Sequence, residues 1–366
     1  MVILRLKNQM WLSILLKYKI YINYIGFNYD SSYFCIGTDI GFKVYQTNPL
    51  SLLISKILNG GIGIVKILDK SNLFCLVGGG KNPRFSPSVL IIWNDLKDEI
   101  SDEFRCESFI INCYVKQKCI FIICADNIII INTKTMELIE KINTINNPKG
   151  IFAVCKDPKK YILAFPESKG NILIKFFEDL NKVNKEKEKK DEKNKEKKSS
   201  QVIKNAHKGN IIVLSINYLG NKIASASNRG TIVRLFNIEN GTTIAELRRG
   251  NTEASIFSLN FSMNDNYLGL TSDHCSCHIF DLNNLKPKPK DSNKSYVMSY
   301  ISGVGKYLSD KSIYSWRKFD IPGKERSIVS FTRDESFKCF IIDKNGNYVS
   351  ADFNKEEVKL TKEKIK

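Results

Sequence analysis

The sequence predicts an all-β protein, a seven-bladed β-propeller of WD-type repeats with four-stranded blades. Three observations predict it. Helical periodicity is almost absent, and short β-branched and aromatic runs alternate with Gly, Asn, Asp and Pro, the pattern of a sandwich, barrel or propeller. One unit recurs: a strand, an Asn/Asp turn, a second strand ending in small residues, a Gly or Asn turn, and a third strand ending in Asp or Asn. The third-strand aromatics Phe236 and Phe280 stand 44 residues apart, within the roughly 40–45 residues of a WD-type repeat.

Five copies of the unit are legible, running from Tyr24 to Asn48, Ile62 to Asp95, Phe109 to Thr133, Ile211 to Asn237 and Ile256 to Leu282. Fainter copies span Gly150 to Phe177 and Ile328 to Phe353. Seven units fill residues 1–366 as one closed domain. None ends in a strict Trp-Asp pair; Trp93-Asn94-Asp95 comes nearest. Two insertions interrupt the series. Residues 181–200 are a low-complexity Lys/Glu/Asn tract that cannot bury apolar surface, so a disordered loop is expected there. Residues 283–315 open on the Pro-broken basic stretch Lys286–Lys290 and continue into an apolar, aromatic segment from Tyr296 to Leu308. A long loop of that content inside a compact domain points to function.

No apolar run reaches the roughly 18 residues of a membrane-spanning helix. The N-terminal run Met10–Leu16 lies between Lys7 and Lys17. No small-residue cleavage site follows it, so it is expected to pack on the domain rather than act as a signal peptide. Ten cysteines fall mostly inside apolar strand-like runs such as Phe34-Cys35-Ile36, where they act as small hydrophobes of a reducing compartment. The Cys275-Ser276-Cys277-His278 cluster lacks metal-ligand spacing: on a strand Cys275 and Cys277 share one face and His278 takes the other. No metal and no cofactor is expected. Nor is an enzyme, since no nucleophile elbow, Walker loop or metal-binding His pair is present. Gly78-Gly79-Gly80-Lys81 reads as a tight blade turn.

The formal charge is +18, from 56 Lys and Arg against 38 Asp and Glu. Nine lysines and five carboxylates between Lys182 and Lys198 supply only four of those charges, so the folded part is itself basic. Such a field favours an anionic partner: nucleic acid, an acidic membrane or an acidic protein. Nucleic acid is not expected, because no aromatic platform is interleaved with the basic residues.

Leu247-Arg248-Arg249-Gly250 follows one repeat and precedes the next. Adjacent arginines on an extended segment project to opposite sides, and guanidinium groups bind phosphate bidentately. Around them stand His207, Ser225, Ser227 and Thr231 on one side, and Thr271, Ser272 and His274 on the other. From the residues alone, these form a candidate site for a phosphorylated anion.

These features together resemble the PROPPIN family of phosphoinositide-binding propellers, also called WIPI proteins. The resemblance runs from about Tyr24 to Phe353, less the lysine-rich insertion. Gly37–Tyr45 is similar to the family's opening blade. Gly60–Val65, Asn72–Phe74 and Gly78–Pro87 are similar to its second blade, in the form of the WIPI-three/four-like branch. Leu247–Gly250 matches the family's Phe/Leu-Arg-Arg-Gly signature, Ser272-Asp273-His274 follows at the family's spacing, and Tyr307-Leu308-Ser309 with Trp316 resembles the end of its membrane-contacting loop. One departure is Cys275, where the family usually has Gly.

The resemblance implies two head-group sites, one of His207, Ser227, Thr231 and Arg248, the other of Arg249, Thr271, Ser272 and His274. Their ligands would be phosphatidylinositol 3-phosphate and 3,5-bisphosphate. The loop 283–315 would insert Val297, Met298, Tyr300, Ile301, Val304, Tyr307 or Leu308 into the bilayer interface, where aromatics suit the head-group depth. The implied role is a cytoplasmic autophagy effector, peripheral and reversible on phosphoinositide-containing membranes, that brings in a lipid-transfer protein near Lys81–Pro87. A WD-type scaffold for acidic proteins, or a basic nucleic-acid-binding propeller without lipid specificity, is the alternative.

Overall fold

The computed structural model describes residues 20–68, 71–178, 199–285, 313–333, 337–354 and 357–365. Among them strands, turns and bends alternate without a helix, so none is present that could cross a membrane. Blade 1 comprises β1 (Ile22–Phe27), β2 (Tyr33–Thr38), β3 (Gly41–Gln46) and β4 (Ser51–Ile57). Blade 2 comprises β5 (Ile62–Ile67), β6 (Leu73–Gly78), β7 (Val89–Asn94) and β8 (Glu99–Arg105). Blade 3 comprises β9 (Asn112–Lys116), β10 (Cys119–Ile123), β11 (Asn127–Asn132) and β12 (Leu138–Asn143). Blade 4 comprises β13 (Ala153–Val154), β14 (Tyr161–Ser168), β15 (Asn171–Phe177) and β16 (Ser200–Ile203). Blade 5 comprises β17 (Ile211–Ile216), β18 (Lys222–Ser227), β19 (Ile232–Asn237) and β20 (Thr243–Arg248). Blade 6 comprises β21 (Ile256–Phe261), β22 (Tyr267–Ser272) and β23 (Ser276–Asp281), completed after β24 (Ile313–Tyr314) by β25 (Arg317–Asp320). Blade 7 comprises β26 (Ser327–Phe331), β27 (Lys338–Asp343), β28 (Asn347–Asp352) and β29 (Lys359–Lys364). Each sheet is an antiparallel meander of four strands, and β24 joins blade 5 as a parallel fifth. The seven-bladed reading of the sequence is the architecture observed.

The burial of each strand explains its composition. Second strands lie between two neighbouring blades, so they read as unbroken apolar runs: Cys119–Ile123 is buried at every position. Outermost strands face solvent, and β4, β8 and β29 are exposed along most of their length. The turns after the first strands are built on side-chain oxygens. Asn217 Oδ1 accepts from the amides of Asn221 and Lys222 at 3.0 and 2.8 Å. The next turn locks onto this one, because Asp265 accepts from Asn217 Nδ2 and the amides of Tyr218 and Leu219 at 2.8–3.1 Å. A register shift early in the first strand of blades 1, 2, 5 and 6 adds to the twist of those blades.

Seven apolar clusters fill the seven blade interfaces. The ring closes between blades 7 and 1 through side chains. Phe34 stacks on Tyr45 and Tyr348 with centroids 5.1 and 5.9 Å apart, Tyr348 Oη donates to the Thr47 carbonyl at 2.6 Å, and Ser31 and Ser330 share a hydrogen bond between hydroxyls. Closure is therefore complete within the described residues, and the run Met10–Leu16 lies outside them. So does most of the expected insertion 181–200; its last residue, Ser200, opens β16. Gly78–Lys81 is not a tight turn: Gly78 ends β6, and the next strand begins only at Val89. The intervening loop is pinned back on Gly61, whose carbonyl accepts from the amides of Gly79 and Arg84 at 3.1 and 3.0 Å.

Candidate phosphate-binding rim of blades 5 and 6

Arg248 is the last residue of β20, paired with Ile232 on one side and, in parallel, with Tyr314 on the other. The chain leaving the long loop therefore runs beside the arginine. Arg249 continues the extended segment, its amide donating to the Thr231 carbonyl at 2.9 Å. Both arginines are 7% exposed. The Arg249 guanidinium is clamped in place: Nε donates to the Gly230 carbonyl at 3.0 Å, Nη1 to His274 Nδ1 at 3.1 Å, and Nη2 to the Thr252 carbonyl. Burial pulls its pKa below the ordinary arginine value, partly offset by the carboxylate of Asp273. Gly230 is required for this packing. Its φ is +61°, and a Cβ there would stand 1.8 Å from the Ala254 carbonyl oxygen.

An arginine that donates to Nδ1 fixes the His274 tautomer, leaving the proton on Nε2. His274 itself is exposed, while Ser272 beside it is 1% exposed with a hydroxyl that has no hydrogen-bond partner. Ser272 ends β22 two residues before the His274 that holds Arg249, and its buried hydroxyl is a donor left unused. Thr271 differs. It is fully buried, and its hydroxyl donates to the Ser327 carbonyl and pairs with Ser258 Oγ, both at 2.9 Å. It joins blade 6 to blade 7 rather than facing Arg249.

On the blade 5 side, Ser227 is buried, Thr231 half-buried and His207 only 6% exposed. The His207 ring is held by Ser225, with Nε2 2.9 Å from the hydroxyl and 3.2 Å from the carbonyl. Burial, with Arg234 nearby, lowers its pKa to about 4, so the ring is neutral at pH 7. Arg234 pairs with Glu246 at 2.7 Å and donates to the Ala206 carbonyl at 2.8 Å.

Sequence reasoning missed three neighbours of the site. Asp273 accepts from the Ser255 amide at 3.0 Å, bracing the turn beside Arg249; its place in the Ser-Asp-His run was the available signal. Tyr314 carried none, since a two-residue parallel strand leaves no periodicity. His278 was read as the far side of an alternating strand, but Cys275 lies outside β23 in a left-handed turn at φ +52°. That keeps the backbone a glycine would adopt, at a cost of about 1–2 kcal/mol. His278 is 3% exposed, bonded to Ser276 Oγ at 3.3 Å and to Ser315 Oγ at 3.1 Å, and so ties the base of the long loop to blade 6. Burial, with Lys318, Arg249 and His274 close by, lowers its pKa to about 4. Val297, Met298, Tyr300, Ile301, Val304, Tyr307 and Leu308 all lie outside the described residues.

A family profile described as PROPPIN matches residues 21–312. SVP1-like protein 2 of Schizosaccharomyces pombe is 33% identical over 264 residues, 71% of this chain and 68% of that protein. Autophagy-related protein 18 of Yarrowia lipolytica is 27% identical over 367 aligned residues, 89% of this chain and 91% of its own. Among solved structures, Kluyvelomyces marxianus Hsv2 superposes with a TM-score of 0.71, covering 94% of this chain and 99% of that one. At 17% identity that likeness speaks for the propeller fold alone.

Proposed function

The chain belongs to the PROPPIN family, whose propellers bind phosphoinositides, and from that premise we propose that its blade 5 and 6 rim holds two 3-phosphoinositide head groups, one on each side of Arg248-Arg249. The observation that carries the reading is the clamped Arg249 guanidinium beside His274 and the open hydroxyl of Ser272. A pre-positioned guanidinium binds phosphate without a further ordering cost. Arg249, Ser272 and His274 form one site, with Thr271 supporting it from the blade interface. Arg248, Ser227 and Thr231 form the other, with neutral His207 as a hydrogen-bonding partner rather than a charge. Phosphatidylinositol 3-phosphate and 3,5-bisphosphate are the proposed ligands, and the role is binding rather than catalysis. Two modest sites on one rim reinforce each other by effective concentration. The loop 283–315, tied to blade 5 by β24, is proposed to insert apolar residues between Val297 and Leu308 into the bilayer interface. The Lys81–Pro87 loop, pinned on Gly61 and exposed from Lys81 to Arg84, is proposed to receive a lipid-transfer partner of autophagy.

Co-sedimentation with vesicles containing phosphatidylinositol 3-phosphate tests the reading, comparing the native chain with the double variant Arg248→Thr/Arg249→Thr. Charge-assisted hydrogen bonds contribute about 1.5–3 kcal/mol each, so losing both arginines should weaken partitioning about 100-fold or more. Equal binding by a variant that keeps its fold would instead leave diffuse surface charge as the source of attraction.

A further inference from the structure

A second basic site lies on the axis of the ring. A cavity of about 150 Å³ is lined by residues of all seven blades, among them Lys66, Lys116, Lys156 and Arg333. Among the described residues that line it there is no carboxylate. It sits where the innermost strands end: Lys116 closes β9, Lys66 is the penultimate residue of β5, and Lys156 follows β13. The arginine pair lies at the opposite strand ends, since Ser227 and Ser272 pair with Ile211 and Ile256, the first residues of β17 and β21. The two basic regions are therefore separate.

Neutral partners hold these ammonium groups. Lys116 Nζ donates to the Cys155 carbonyl at 2.9 Å and to that of Lys160, and stands 4.7 Å from the Tyr161 ring centroid. Lys66 Nζ stands 5.4 Å from the centroid of Tyr24. Lys156 reaches from blade 4 to blade 6, donating to Asn260 Oδ1 at 2.9 Å; Asn260 in turn donates to the Ser330 hydroxyl at 3.0 Å. The carboxylates nearest Lys156 are engaged elsewhere. Asp265 accepts from the blade 5 turn, and Asp30 accepts from Asn28 and Ser32 and stands 4.0 Å from the Arg333 guanidinium, which it neutralises. Burial accordingly lowers the Lys156 pKa to about 8, leaving an ammonium at neutral pH. Asp157 acts on Lys116 only from a distance, and among the described residues none of the three ammonium groups forms a direct ion pair. Lysines turned into one cavity with neutral groups in contact gain when an anion joins them.

We propose that this axial cavity binds a small phosphate-bearing anion, held by Lys66, Lys116 and Lys156 at the strand ends opposite the arginine pair. Three cations and a volume near that of a small organic ring suit two phosphoryl groups. The shared chemistry is the phosphoryl oxyanion, whether it comes from a soluble ligand or from a lipid head group.

The probe is inorganic pyrophosphate, titrated calorimetrically into the full chain. Binding should persist in the Arg248→Thr/Arg249→Thr variant, which separates this proposal from the rim reading. Lys156→Gln removes the charge while keeping a polar side chain, and should weaken binding at least about tenfold. Lys156→Arg should retain it, which excludes a purely structural effect. If Lys156→Gln leaves binding to phosphatidylinositol 3-phosphate vesicles unchanged, the source is a soluble anion; if it weakens both, the source is a head group. Pyrophosphate binding equal in the native chain and folded Lys156→Gln, or lost with the arginine pair alone, would overturn the proposal.

Discussion

Acidification from pH 7 to pH 4 is expected to cost the fold several kcal/mol through two buried histidines. His207 and His278 are 6% and 3% exposed, and burial lowers each pKa from 6.5 to about 4. The sign follows from linkage. The unfolded chain takes up these protons near pH 6.5, whereas the folded chain resists them until about pH 4. Their stabilisation is therefore fully present above pH 6.5 and is lost as the pH falls through 4. A tenfold change in proton affinity is worth about 1.4 kcal/mol, which gives about 3 kcal/mol per histidine. Urea unfolding midpoints measured across this range should fall steeply below pH 6.5. The His207→Gln/His278→Gln variant should start less stable and show a clearly shallower slope between pH 6.5 and 4. A slope unchanged in that variant would assign the acid sensitivity to carboxylates instead.

Phe353→Ala should be comparably damaging. Phe353 is fully buried at the junction of blades 6 and 7, with ring centroids 5.3 Å from Tyr267, 6.0 Å from Trp316, 6.1 Å from Phe331 and 6.0 Å from Phe337. Truncating a buried phenylalanine costs about 3–5 kcal/mol, because the surrounding rings collapse only partly into the cavity. Trp316 belongs to the segment that returns from the long loop, and its amide donates to the Ile279 carbonyl at 2.8 Å. The same cavity therefore loosens the contact of His278 with Ser315. Thermal unfolding should show a much lower Tm, and vesicle binding at 25 °C should weaken less than in the arginine double variant. A Tm within a few degrees of native would mean that the cluster repacks.

The blades were legible because burial writes itself into residue type. Second and third strands are enclosed by neighbouring blades, so runs such as Phe121–Ile123 and Ile128–Ile131 stand out as apolar blocks. Outermost strands were not legible, since β8 and β29 are exposed and their composition matches that of loops. The fourth strand of blade 6 was hidden for another reason: it arrives only after the long loop. At the rim, the Arg-Arg-Gly triplet and Ser272-Asp273-His274 fall on adjacent blades, 5 and 6, where Arg249 and His274 meet. What each side chain faces could not be read. Thr271 and Ser272 are adjacent hydroxyls, yet one is bonded across the blade interface and the other has no partner. That difference comes from the alternation of the strand against the neighbouring sheet, which the sequence leaves unlabelled. The axial cavity was equally invisible, because its lysines come from separate repeats and meet only when the ring closes.

The central claim is that Arg248 and Arg249 serve separate head groups, and the most direct measurement counts them. Calorimetric titration with soluble inositol 1,3-bisphosphate gives the number bound per chain for the native protein, Arg248→Thr, Arg249→Thr and the double variant. The account predicts that each single substitution removes one head group from the count and that the double variant removes two, whatever the axial cavity contributes. A count unchanged by either substitution, or one that falls equally for either single and the double variant, would contradict it.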